Sequence, residues 1–117
     1  MANRVIWFDL PVSDLKRAIQ FYSAVLGAKV VEDRPGVAVI EHGAGEMSGC
    51  LYSKPGMEPS SNGALLYFNC DGRLDAAVAA VEANGGKVLQ PPRSIEPWGS
   101  RAVVFDSEGN RIALHSS

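Results

Sequence analysis

The feature that most limits what this chain can fold into is an internal repeat with a period of half its length. Residues 4–11, RVIWFDLP, are apolar and β-prone. They lead through Ser13-Asp14 into LKRAIQFYSAVLG, where Leu15, Ala18, Ile19, Tyr22, Val25 and Leu26 recur at helical spacing. The same grammar returns at residues 64–70, ALLYFNC, a strand pattern followed by Asp71-Gly72 and RLDAAVAAVEANGG. There Leu74, Ala77, Val78 and Val81 fall on one helical face. Ala28-Lys29-Val30 and Gly86-Lys87-Val88 lie 58 positions apart, as do Trp7 and Leu65. Inside the helices the offset slips by one, so a single insertion separates the copies. Ser13 or Asp14 serves as N-cap of the first helix, and Gly27 takes the left-handed position past its end.

After each helix the pattern turns to strands. In the first half these are 28–33, 37–42 and 48–53; in the second they are 86–90, 101–106 and 111–115. Ser107-Glu108-Gly109-Asn110 joins the last two through a turn that suits left-handed backbone at Gly109 or Asn110. KPGMEPSSNG, residues 54–63, reads as a connection between the copies, and QPPRSIEPWG, residues 90–99, reads as a long ordered loop with three prolines. The expected fold class is α+β. It is one domain over 1–117, with a β-α-β-β-β module at 1–54, a linker at 55–63 and a second module at 64–117. Neither module can cover both faces of its own sheet, so the two must pack together.

Composition narrows the functional classes. A chain of 117 residues with 46% apolar and 21% charged residues is an ordinary globular balance. The net charge is −2 without a dense Lys/Arg cluster, so no nucleic-acid partner is expected. No apolar run approaches the roughly 18 residues of a membrane span, so no membrane partner is expected either. MANRVIWFDLP lacks the basic-then-apolar layout of a signal peptide, which points to a cytoplasmic location. Cys50 and Cys70 are too few for a disulfide framework and read as small buried hydrophobes. There is no Gly-rich phosphate loop, no G-x-S-x-G and no Cys/His zinc spacing.

The paired modules, with Asp14, Leu15, Arg17, Ala18, Phe21, Tyr22, Leu26 and Gly27 in the first helix, resemble the vicinal oxygen chelate superfamily of glyoxalases, bleomycin-resistance proteins and ring-cleaving dioxygenases. Gly85-Gly86-Lys87-Val88 and Asp106-x-x-Gly109-Asn110 carry the second-half signature, with Ser107 where the family usually has proline. The resemblance implies two sheets curved into a cup. In metal-dependent members, two strand positions per module give His, Glu or Gln ligands to a divalent ion, which chelates adjacent substrate oxygens as a Lewis acid. Here those positions fall on Trp7, Leu65, Ala113 and, in the strand 48–53, Leu51 or Tyr52. None is a usable ligand, so neither a metal nor another cofactor is expected.

Strand alternation places Trp7 with Asp9, Leu65 with Tyr67 and Asn69, and Arg111 with Ala113 and His115 on the cup face. The expected ligand-binding wall is therefore Trp7, Leu51, Leu65, Tyr67, Asn69 and Ala113, with Trp98 as a lid or loop anchor and Arg101 as an anion partner or edge charge. Asp9 and His115 are the candidate catalytic groups, as general base or displaced metal ligand. Each also has a structural reading, as a strand-end hydrogen bond or a solvated strand end. Glu41 and His42 face opposite sides of a strand and read as hairpin-tip residues. Two functions compete: metal-free binding of a small organic molecule, or lyase or isomerase action on a small oxygenated substrate. A purely structural or interaction role is a third reading. The resemblance alone implies a homodimer.

Overall fold

The structure, a computed structural model, describes residues 3–117. The elements run β1 (Asp9–Pro11), α1 (Leu15–Leu26), β2 (Val30–Arg34), β3 (Val37–Ile40), β4 (Cys50–Tyr52), β5 (Leu66–Asn69), α2 (Leu74–Ala83), β6 (Lys87–Ser94), β7 (Ser100–Phe105) and β8 (Arg111–Ser116). They form two four-stranded mixed sheets, ordered β1-β4-β3-β2 and β5-β8-β7-β6, so the second repeats the first. β1 and β5 each run parallel to the last strand of their module, and the remaining pairs are antiparallel. The expected α+β class and doubled β-α-β-β-β order are what the chain adopts.

α1 forms where its spacing places it. Asp14 accepts from the Arg17 N–H at 3.1 Å and caps the first turn, and Gly27 closes the helix at φ 62°. Ala18, Phe21, Tyr22 and Val25 bury one face. α2 lacks a side-chain cap, and Ala77 and Val81 are its buried residues. These faces join Leu10, Leu51, Ile112 and Leu114 in one core shared by both modules. Such burial, at about 25 cal/mol per Å² of apolar surface, is the dominant favourable term.

A polar network locks the modules across this core. The Tyr22 hydroxyl donates to Asp106 at 2.6 Å, and Asp106 also accepts from the Asn110 and Glu108 N–H groups and from Asn110 Nδ2. Asn110 Nδ2 reaches the Pro11 carbonyl at 2.8 Å, while its Oδ1 accepts from Ser60 N and so pins the linker. Glu108 sits over the start of α1. Its Oε1 accepts from Ser13 N and Asp14 N, and Arg17 grips both oxygens at 2.7 and 2.8 Å. Burial pushes the Glu108 carboxyl up, but the Arg17 and Asp14 hydrogen bonds outweigh it and hold it below the ordinary carboxylate value. Gly109, at φ 90°, takes the left-handed place in this turn.

Two strands differ from the sequence pattern. The first was expected over 4–11, yet only Asp9–Pro11 pairs as a strand and Val5 and Ile6 are exposed. Residues 91–94, expected in a loop, belong to β6. That strand is the sheet edge, its ladder breaks at Val88/Gln90 and Gln90/Arg93, and there prolines forgo no needed hydrogen bond. The loop that remains, Ile95–Gly99, is closed by Ile95 N to Gly99 O at 2.8 Å and Trp98 N to Ile95 O at 3.0 Å.

Candidate functional site

Each sheet turns one face to the core and leaves the other open. In the second sheet Ile112 and Leu114 point inward, so Arg111, Ala113 and His115 alternate onto the open face. Tyr67 and Asn69 pair with Ala113 and His115, and Arg101 and Val103 pair with His115 and Ala113 from the other side. Tyr67, Asn69, Arg101, Ala113 and His115 therefore share one surface. Leu65 lies just before β5, half-buried, and lines none of the cavities described below.

In the first sheet the open face carries Asp9, Val37, Val39, Cys50 and Tyr52. Leu51 does not belong to it, against the sequence expectation. Its register partners are Leu10 and Ala38, and all three side chains enter the core. The pairing register of β4 thus selects Tyr52 for the open face. Trp7 lies outside β1, where its ring meets His42 edge-on with centroids 5.6 Å apart.

Three cavities lie at these faces and at the junction between them, and the first shares wall residues with each of the other two. The first, about 660 Å³, is lined from both modules by Trp7, Phe8, His42, Tyr67, Phe68 and Asn69 among others. Phe8 and Phe68 meet edge-to-face at 5.7 Å across the junction, and both pack against the core. The second, about 540 Å³, adds Asp9, Cys50 and Tyr52 to Trp7 and His42. The third, about 340 Å³, lies between Tyr67, Ile95, Trp98 and His115. His42, read from sequence as a hairpin-tip residue, lines two of them. Strand alternation stops at Ile40, so no periodic signal reaches His42.

The polar chemistry is specific. Asp9 accepts from the Cys50 thiol at 3.1 Å. Burial, helped by Asp9, pushes Cys50 up to about 11, so it stays a thiol at neutral pH and is a poor nucleophile. Cys70 is raised too, chiefly by burial. His115 bonds the Trp98 carbonyl oxygen through Nε2. A carbonyl only accepts, so Nε2 carries the proton and the free lone pair of the neutral ring is at Nδ1. That bond fixes the loop bearing Trp98, which is 72% exposed. Asp9 and His115 line different cavities, so the structure does not bring these two candidate catalytic groups together. Arg101 donates through Nη1 to the Tyr67 hydroxyl, and its guanidinium lies 5.7 Å from that ring's centroid.

The residues do not fit the divalent metal of metal-dependent relatives. The register that would carry its ligands holds an indole, a leucine and a methyl group at Trp7, Leu65 and Ala113. Among the described residues no three His, Cys, Asp or Glu side chains are gathered within reach of one ion. No metal-dependent step is derived for this chain.

Comparison with known proteins agrees with this architecture. The family model described as Glyoxalase/Bleomycin resistance protein/Dioxygenase superfamily matches residues 4–114. A glyoxylase-like domain-containing protein of Didymella fabae is 31% identical over 119 residues, covering 96% of this chain and 92% of its own. Among solved structures, a glyoxalase/bleomycin resistance protein from Albidiferax ferrireducens T118 superposes with a TM-score of 0.80 at 23% identity, over 98% of this chain and 99% of the other. The fosfomycin resistance protein FosX from Mesorhizobium loti gives 0.68 at 20% identity, over 100% and 93%. The chain belongs to the glyoxalase/bleomycin resistance protein/dioxygenase superfamily.

Proposed function

We propose that this protein binds a small, partly aromatic organic molecule on the open surface of its two sheets, without a metal ion. The observation that carries the reading is the cavity of about 660 Å³ between the modules, walled by Trp7, Phe8, Tyr67 and Phe68 and edged by His42, Asn69 and the carboxylates of Glu41 and Glu46, which accept from the Lys29 and Gly43 N–H groups. Its size and its mainly apolar, aromatic wall with a polar edge are those of a small-molecule site. Trp7 and Tyr67 are its exposed rings and supply stacking area. Ala113 pairs with Tyr67 on the same face, and Trp98 stands over the adjoining cavity. The ligand acts on a cytoplasmic protein with both cysteines reduced, and the protein works as a homodimer; exposed Val5 and Ile6 favour association.

The test is thermal unfolding of chelator-treated protein against a panel of aromatic and alicyclic molecules and, in parallel, divalent metals. An organic ligand at 100 times its Kd stabilises by about 2.7 kcal/mol, on the order of 10 °C at this size. Trp7→Ala and Tyr67→Ala should erase the shift. Stabilisation by a metal alone, with none by any organic molecule, would overturn the reading. It would favour the enzymatic one, in which Asp9 or His115 works as a displaced ligand in lyase or isomerase chemistry. Light scattering gives the mass in solution, and a monomer at micromolar concentration would remove the homodimer.

A further inference from the structure

The two open faces differ sharply in charge. By register, β6–β7–β8–β5 present Lys87, Arg93, Arg101 and Arg111 on the second open face together with His115 and Asn69, and no Asp or Glu stands among them. The chain as a whole has a net charge of −2, so this concentration of cations is local. One row crosses the whole sheet: Arg93 opposite Arg101, Arg101 opposite His115, and His115 opposite Asn69. Like charges in direct cross-strand register repel, so Arg93 and Arg101 destabilise one another unless an anion lies between them.

The row is also rich in unused donors. Arg101 makes no ion pair among the described residues, and its Nε is buried without a hydrogen-bond partner. Its engaged group is Nη1, on the Tyr67 hydroxyl, which steadies the guanidinium without neutralising it. Asn69 uses its oxygen to accept from Asp71 N at 2.8 Å, which leaves the amide NH₂ as its free end. The row ends beside the cavity formed by Tyr67, Trp98 and His115.

We infer that the second sheet holds an anion subsite centred on Arg101, and that the ligand of this protein is a small aromatic carboxylate. Its carboxylate seats on the Arg101 guanidinium, within reach of the Asn69 amide, and its ring lies between Tyr67 and Trp98 toward Trp7. The planar fork of an arginine matches a carboxylate in a two-point hydrogen bond. This inference rests on the proposed binding function and adds the charge of the ligand to it.

The experiment titrates the intact protein with benzoate and phenylacetate, and with benzamide and phenylacetamide as neutral partners. Calorimetry gives the affinities, and ¹⁵N spectra follow the arginine Nε–H and tryptophan indole signals. Each acid should bind about tenfold or more tightly than its amide, because a desolvated charged hydrogen bond is worth at least that factor. Raised salt should shrink the preference. Arg101→Gln should abolish it, bringing each acid down to the affinity of its own amide. The comparison of acid with amide on the unaltered protein holds whether or not that variant folds. Equal binding of acids and amides would overturn the anion subsite and leave the binding function standing. Binding of none of the four would overturn the subsite and count against the aromatic pocket as well.

Discussion

At equivalent places in the two copies the chain carries Ala28 and Gly86, Trp7 and Leu65, Asp14 as a cap and Arg73 without one. The backbone plan is common, yet the open faces diverge. The first presents Val37, Val39 and Cys50 with Asp9, whose carboxylate accepts from the Cys50 thiol, and with Asp33 and Arg34 beside them. The second presents four cations and no acid. The charges at the junction are lopsided too, since Asp106 and Glu108 of the second module receive the hydrogen bonds that Tyr22, Arg17 and the Ser13 and Asp14 N–H groups of the first donate, while Asn110 and Arg73 donate to the Pro11 and Val25 carbonyls. The two copies thus present a mixed face in one sheet and a cationic face in the other, with the carboxylates of the second module anchoring the first.

The largest effect should come from that anchor. Asp106 is 2% exposed and accepts four hydrogen bonds. Asp106→Ala leaves the Tyr22 hydroxyl and both nitrogens of Asn110 short of partners and should lose about 3–5 kcal/mol in urea unfolding. Tyr22→Phe removes one bond to a charged acceptor and should lose about 1.5–3 kcal/mol. If the two variants lose the same small amount, the network does not join the modules.

Next is the glycine asymmetry. A Cβ at Gly86 would stand 2.6 Å from the Phe21 ring and 2.5 Å from the Phe105 carbonyl, neither of which can swing away. Gly86→Ala should therefore lose about 1–3 kcal/mol through overpacking. The reciprocal change, Ala28→Gly, relieves no contact and should lose less than about 1 kcal/mol. Equal losses would mean that the helix–helix approach is the same in both copies.

These two sets mark what the sequence disclosed. The repeat, both helices and the Asp14 and Gly27 caps were legible because spacing and backbone chemistry are local. The register of β4 was not: whether Leu51 or Tyr52 faces outward depends on its pairing with Leu10 and Ala38 from two other strands. The prolines of β6 misled because their tolerance comes from lying at a sheet edge, which only tertiary structure decides. The cation row was hidden for the same reason, as Arg93, Arg101 and His115 are neighbours across strands rather than along the chain.

pH separates the two modules further. Glu108 is held below its ordinary value of 4.5, so its contribution is complete above that pH and is lost as pH falls through the depressed folded value. Tyr22 is raised well above 10 by burial and by Asp106, so its contribution is complete below pH 10 and declines above it. Glu108→Gln should flatten the acid limb of stability against pH, and Tyr22→Phe the alkaline limb. An unchanged acid limb in Glu108→Gln would mean that other carboxylates govern acid unfolding.

The smallest stability effect should fall on Trp98, and it sharpens the comparison of the two tryptophans. Trp98 is 72% exposed on a loop fixed by its own backbone hydrogen bonds and by His115, whereas Trp7 is 39% exposed and packed on His42. Trp98→Ala should change stability by less than about 0.5 kcal/mol, as surface substitutions away from caps and cores do. Trp7→Ala should lose more, on the order of 1 kcal/mol, through its aromatic contact and half-buried ring. Under the proposed binding function, Trp98 covers the bound ligand rather than supporting the fold. Trp98→Ala should therefore speed ligand release with the melting temperature of the free protein unchanged. Unchanged release with a falling melting temperature would make Trp98 a loop anchor instead, and the third cavity would then lie open to solvent on that side.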